Sequence, residues 1–235
     1  MLETAGRAVM VSGASRGIGL ALVETLLSKG WSVSAGVRDP ASLTAKLGAT
    51  DNLLVTRFDA EDRATFADWL DATLTRFGRV DGLINNAGIS NTFSIEEGDE
   101  TALDHLFEIN VKAPLFLTRL VLPHLKASDA GRIVNISSMS GKRVRNENVA
   151  YNMSKHAIIA LTHGTRRIGW DHGVRAFVVC PSFVATDLTA NAKKVSREEM
   201  INADDLAELI TTTMALPNNA MVAELIVNCR LEDQY

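Results

Sequence analysis

The sequence has only two cysteines, Cys180 and Cys229. Two thiols make neither a disulfide framework nor a metal-ligand cluster, so no metal site is expected and a reducing cytoplasm is the expected compartment. No apolar run approaches the ~18 residues that a membrane span needs, and the first residues lack a signal-peptide pattern, so no membrane partner is expected. Basic blocks are missing too. Lys193-Lys194 and Arg166-Arg167 are isolated pairs in a chain of net charge −4, which argues against nucleic acid as a partner. No repeat, low-complexity stretch or linker divides the chain. With 46% apolar and 22% charged residues, the composition is that of one ordinary globular domain spanning 1–235.

What is present is a repeated alternation. Residues 7–12 hold the short apolar run Ala8-Val9-Met10-Val11, a buried strand by length. Gly13-Ala14-Ser15-Arg16-Gly17-Ile18-Gly19 follows, then a helical face of Ile18, Leu22 and Leu26 that ends at Gly30. Strand, glycine turn and helix together point backbone N–H groups and a helix N-terminus at a phosphate. A purely structural turn is the plain alternative. Ser32–Val37 reads as the second strand, followed by Arg38-Asp39-Pro40. A carboxylate at this strand end would bind the adenosine ribose, whereas an arginine would accommodate a 2′-phosphate. Further strands are expected at 53–58, 80–84, 132–137, 174–180 and 225–227, and helices at 62–77, 101–122, from Tyr151 onward, and at 204–216. Asn110 lies four residues before Pro114, so a kink is expected there. Alternating strands and helices argue an α/β fold: a doubly wound parallel sheet of about seven strands with helices on both faces. Ligands in such sheets sit at the strands' carboxyl ends. The glycine turn, Arg38, Asp59, Asn85 to Gly88, Ser138 and Pro181 to Thr186 all fall there.

Ser138 closes the fifth strand, and Tyr151 and Lys155 are four apart on the next helix, hence on one face. A phenol ionises near pH ~10, and a neighbouring cation lowers that value, so Tyr151 beside Lys155 is a candidate proton donor and acceptor. A lone Tyr-x-x-x-Lys also arises by chance.

Taken together, Gly13-x-x-x-Gly17-x-Gly19, Asn85-Asn86-Ala87-Gly88, Asn110, Ser138 and Tyr151-x-x-x-Lys155 resemble the short-chain dehydrogenase/reductase family over roughly residues 7–190. The interval from Ser138 to Tyr151, 151 − 138 = 13, is the family's usual one. The resemblance implies a Rossmann-type fold and a catalytic set of Asn110, Ser138, Tyr151 and Lys155. Tyr151 would be the general acid in reduction and the base in oxidation. Lys155 would hold the nicotinamide ribose and lower the phenol's pKa, Ser138 would hydrogen-bond the substrate oxygen, and Asn110 would anchor a water. It also implies a cofactor site of Gly13, Ser15, Arg16, Gly17, Ile18, Gly19, Arg38, Asp59, Asn86, Ala87, Gly88, Tyr151, Lys155, Pro181, Val184 and Thr186. Because Val37 ends the second strand and Arg38 follows, NADP(H) rather than NAD(H) is the expected cofactor, with Arg16 as a second guanidinium for the 2′-phosphate. Asp39 opposes this unless it points into its turn.

Some positions depart from the family pattern. Ser12 stands where Thr is usual and keeps the hydroxyl; Ser182 stands where Gly usually follows Pro181; the usual glycine-pair ending is absent. The lid segment, about 188–203, is short and polar, so an open cleft is expected. The implied partner is a small-molecule ketone, aldehyde or hydroxy acid. Arg143 and Arg145 could meet a carboxylate, and as solvated loop arginines they need no such role. A homodimer or homotetramer is implied, with Leu115, Phe116, Leu120, Ile159 and Thr162 as candidate surface on the 101–122 and 149–170 helices. The alternative is a catalytically silent dinucleotide-binding sensor or scaffold. Such a protein is expected to lose a catalytic residue, and none is missing.

Overall fold

The structure is a computed structural model, and it describes residues 1–232. Seven strands form one parallel sheet in the order β3-β2-β1-β4-β5-β6-β7. They are β1 (Ala8–Ser12), β2 (Ser32–Val37), β3 (Leu53–Arg57), β4 (Gly82–Asn85), β5 (Arg132–Ile136), β6 (Arg175–Pro181) and β7 (Glu224–Val227). The helices are α1 (Gly17–Ser28), α2 (Pro40–Leu47), α3 (Ala64–Phe77), α4 (Glu100–Phe107), α5 (Ala113–Ala127), α6 (Val149–Gly169) and α7 (Ala203–Met214). This is the expected doubly wound Rossmann-type sheet. Strand order reverses between β1 and β4, which opens a crevice at their carboxyl ends.

Apolar runs feed both faces because the side chains of a strand alternate. On β1, Val9 and Val11 join Leu22 and Leu26 of α1 and Leu206 and Ile210 of α7, while Met10 turns to Trp69 of α3 and Leu117 and Val121 of α5. On β6, Phe177 and Val179 face the first layer, and Val178 and Cys180 pack on Ile158 of α6. No described helix is long and apolar enough to cross a membrane.

Two expectations are corrected here. The single helix expected over 101–122 is broken: α4 ends at Phe107, a π turn spans Glu108–Lys112, and α5 runs on through Pro123 to Ala127. Pro114 has no N–H for the carbonyl at Asn110, and the wider turn absorbs that loss. Asp39-Pro40 is expected in a turn, yet Pro40 starts α2 at its first position and Asp39 caps it, accepting from Ser42 N at 3.3 Å.

One buried polar string crosses the sheet. Asn85 Nδ2 donates to Thr118 Oγ1 at 3.0 Å and to Asn135 Oδ1 at 2.7 Å, and Asn135 Nδ2 donates to Thr162 Oγ1 at 2.8 Å. Asn85 and Asn135 are register partners, so these amides tie α5 to α6 through β4 and β5.

Candidate active site

A cleft of about 1060 Å³ lies over the carboxyl ends of the strands. It is lined by Gly13, Ser15, Arg16, Gly17, Ile18, Arg38, Asp59, Asn86, Ala87, Gly88, Ser138, Tyr151, Lys155, Pro181, Val184 and Thr186. Of the residues singled out from the sequence, Gly19 and Asn110 stand behind this wall.

The glycine turn is built for close approach. Gly17 has φ +54°, a region that L side chains rarely enter, and a Cβ there would stand 3.0 Å from Thr186 Cγ2. At Gly19 a Cβ would lie 2.2 Å from the Gly13 carbonyl oxygen, so any side chain would force the turn apart. Ser12 Oγ accepts from Asn86 N at 3.0 Å and Ala87 N at 3.1 Å. Asn86 Nδ2 returns to the carbonyls of Ser12 and Gly13. Asn86 thus fastens the loop after β4 to the turn after β1. No side chain caps α1, so its first N–H groups are left for a ligand. A glycine cradle, an uncapped helix start and a long cleft fit a dinucleotide whose pyrophosphate sits on α1.

At the other side, Ser138 Oγ accepts from Ser140 N at 3.1 Å. Interaction with the Ser138 side chain works to lower the Tyr151 pKa, but burial dominates and pushes it up to about 12. Lys155 Nζ lies 5.4 Å from the Tyr151 ring centroid and donates to the Ile136 carbonyl at 3.1 Å. Burial pushes its ammonium down to about 8. The expected depression of the Tyr151 pKa is therefore reversed: burial of the phenol decides its direction.

Asn110 sits in the π turn with both ends of its amide committed. Oδ1 accepts from Ile89 N and Nδ2 donates to Ile89 O, each at 2.9 Å; Nδ2 also donates to Ser154 Oγ at 3.2 Å. That places Asn110 beside the helix turn that carries Lys155 while fixing the loop beyond Gly88.

The cofactor-side residues divide. Arg38 is exposed at the end of β2, and Asp39 is turned to α2 as its cap. Asp59 Oδ1 accepts from Glu61 N at 3.1 Å in a turn at the cleft edge. Arg16 Nη1 reaches over to Asp187 Oδ2 at 3.0 Å, joining the glycine turn to the lid.

The segment about 188–203, expected to be short and polar, is mostly exposed and is anchored at several points. Val195 and Met200 are buried, Ile201 pairs with Val184, and Arg197 donates to the carbonyls of Ala185 and Thr186. Arg143 and Arg145, for which both a carboxylate contact and a solvated place are expected, meet Glu232. Asn148 was missed. It caps α6, accepting from Tyr151 N at 3.4 Å, and donates to Ser90 Oγ and to the Asn91 carbonyl. An Asn just before a helical run is a readable signal for this role. Ser182 fits without a positive φ: its N–H donates to Val227 O and its Oγ accepts from Cys229 N at 2.8 Å.

Comparison with known proteins agrees with this geometry. The chain is 44% identical over 226 residues to an agropine synthesis reductase of Rhizobium rhizogenes, covering 95% of this chain and 53% of that protein. It therefore spans about half the length of that curated relative. It is 30% identical over 187 residues to a D-beta-hydroxybutyrate dehydrogenase of Cupriavidus necator, covering 78% and 72% of the two chains. A crystal structure of 3-ketoacyl-(acyl-carrier-protein) reductase from Brucella melitensis, complexed with NADH, superposes with a TM-score of 0.87 at 25% identity, covering 97% of this chain and 98% of that one. Residues 7–197 match the short chain dehydrogenase family. The chain belongs to the short-chain dehydrogenase/reductase family.

Proposed function

We propose that the protein interconverts a carbonyl compound and its alcohol with NADP(H), residues 1–235 forming one cofactor-binding and catalytic domain. The observation that carries this reading is the convergence of Ser138, Tyr151 and Lys155 on the same cleft as the glycine turn. Bound nicotinamide supplies or accepts the hydride. In reduction the Tyr151 phenol gives its proton to the substrate oxygen; in oxidation the phenolate takes it back. Burial raises the phenol's pKa, which keeps the proton on Tyr151 before cofactor and substrate bind. The Ser138 hydroxyl donates to the substrate oxygen as charge grows there. Lys155, depressed to about 8, changes protonation close to neutral pH and can pass a proton towards Tyr151. Asn110 keeps the Ile89 loop and the Lys155 turn in place, with a bound water as the implied link to solvent. The glycine turn, Asp59 and Asn86 to Gly88 hold the adenosine and pyrophosphate half. Pro181, Val184 and Thr186 line the nicotinamide half.

NADP(H) is favoured over NAD(H) by Arg38, since Asp39 is spent on capping α2. Arg16 would exchange Asp187 for the 2′-phosphate, a swap eased by the exposure of both groups. Two charge-assisted bonds at roughly 1.5–3 kcal/mol each favour NADPH by about a hundredfold or more. Unpaired Cys180 and Cys229 suit a reducing cytoplasm. Exposed Leu115 and Phe116 on α5 suit a homodimer or homotetramer.

The test follows cofactor oxidation over a panel of ketones, aldehydes and oxo acids, with NADPH against NADH. We expect kcat to fall by about 10²–10⁴ in Tyr151→Phe while cofactor affinity holds. Wild-type kcat/KM should favour NADPH, and Arg38→Ala should lower that preference about tenfold or more, leaving the share of Arg16. Turnover by Tyr151→Phe near the wild-type rate would remove the proton-donor assignment, and equal use of both cofactors would remove the role of Arg38.

A further inference from the structure

The C-terminal segment folds back against the loop that joins Ser138 to Tyr151. Cys229 N is held by Ser182 Oγ, and Arg230 Nη1 donates to the Lys194 carbonyl at 3.4 Å. Two residues further, the Glu232 side chain is 2% exposed and lies between two arginines. Arg143 donates through Nε at 3.1 Å and through Nη2 at 2.9 Å to its carboxylate, and Arg145 Nη1 donates to Oε2 at 3.1 Å. Only one edge of the Arg143 fork is used. Its Nη1 makes no hydrogen bond among the described residues. Both arginines line the cleft together with Ser138 and Tyr151, whereas Glu232 stands outside the wall, behind them. Lys193, Lys194 and Arg230 add three cations to the lining.

We propose that the substrate carries a carboxylate and that Arg143, supported by Arg145, receives it, with Glu232 as the positioning residue that aims the fork. This rests on the carbonyl reading above and adds the charge of the substrate. A guanidinium with one edge already fixed has little rotamer freedom left to lose on binding. Its neighbourhood is partly dry, which strengthens a charge-assisted bond. The loop is short and rooted at both ends: Arg143 N donates to Met139 O at 3.1 Å, and Asn148 caps α6. The carboxylate is thereby held at a fixed reach from the Tyr151 phenol.

The test compares a 3-oxo acid with its methyl ester, which share a carbonyl and differ in charge. Wild type should prefer the acid by about tenfold to a hundredfold in kcat/KM, chiefly through KM, the range a charged hydrogen bond supplies. Arg143→Met should bring the acid-to-ester ratio close to one, Arg145→Met should lower it partway, and Arg143→Lys should restore part of it. Glu232→Gln should lower the ratio, whereas equal losses on both substrates would leave Glu232 a structural role only. A wild-type ratio near one, or a ratio indifferent to both Arg143→Met and the half-exposed Arg145→Met, would overturn the proposal. If no carbonyl is turned over, the activity reading fails. Equilibrium dialysis of the 3-oxo acid with cofactor-loaded protein then decides the proposal: Arg143-dependent binding sustains it, and equal binding by Arg143→Met overturns it.

Discussion

Lys155 is held where its charge is costly to keep. The residue is 7% exposed and its ammonium donates to one carbonyl, so burial moves its pKa from 10.5 to about 8. In the unfolded chain the ordinary value returns. Between about pH 8 and 10.5 the unfolded state therefore binds more protons, and folding stability rises with pH. Below pH 8 both states hold the proton, and the full cost of the buried ammonium remains. Tyr151 acts in reverse: its folded pKa is raised, so it withdraws stability as pH climbs beyond 10. We predict that wild type gains roughly 2 kcal/mol on Lys155→Met between pH 8 and 10, read from urea unfolding at each pH. A flat difference would mean that the ammonium is not destabilised where it sits. The residue types and spacing of Tyr151 and Lys155 were legible from the sequence. The direction of their pKa shifts was not, since it depends on how much water the fold removes.

Among the elements, β2 matches its sequence expectation at both ends, because six apolar or small residues are bounded by Gly30 and by the Asp39-Pro40 start of α2. Helix α2 escaped notice for a physical reason: it buries one side chain, Leu43, and so shows no apolar period. The break between α4 and α5 was half legible. Asn110 and Pro114 mark its place, but the long-range bonds to Ile89 are not written in local sequence. Those bonds make a prediction. Asn110→Leu leaves Ile89 N and O without partners, at roughly 1–3 kcal/mol each. The urea midpoint should fall, and the Ile89 amide should lose protection from hydrogen exchange. Retained protection at Ile89 would show that the loop holds itself.

For the whole molecule, the site was legible because the glycine turn, Asn85 to Gly88, Ser138 and Pro181 to Thr186 fall at strand ends, and the parallel sheet gathers those ends on one side. The Arg143–Glu232 contact was not, because it joins segments 89 residues apart. The surface reading needs one correction: Thr162 is buried and bonded to Asn135, so it offers nothing to a partner chain. Leu115 and Phe116, 43% and 41% exposed, do remain on α5. We predict a light-scattering mass at a multiple of 25.4 kDa and a shift to 25.4 kDa in Leu115→Asp/Phe116→Asp. A monomer of the wild type at micromolar concentration would end that reading. The Thr118–Asn85–Asn135–Thr162 string has a consequence for the folding chain. A slip of β4 against β5 by one residue would turn one amide to the opposite, apolar face and break the bonds between them. Each unpaired amide costs more than its bond contributes. The string thus works as a proofreader, penalising misaligned sheets more heavily than it rewards the correct one.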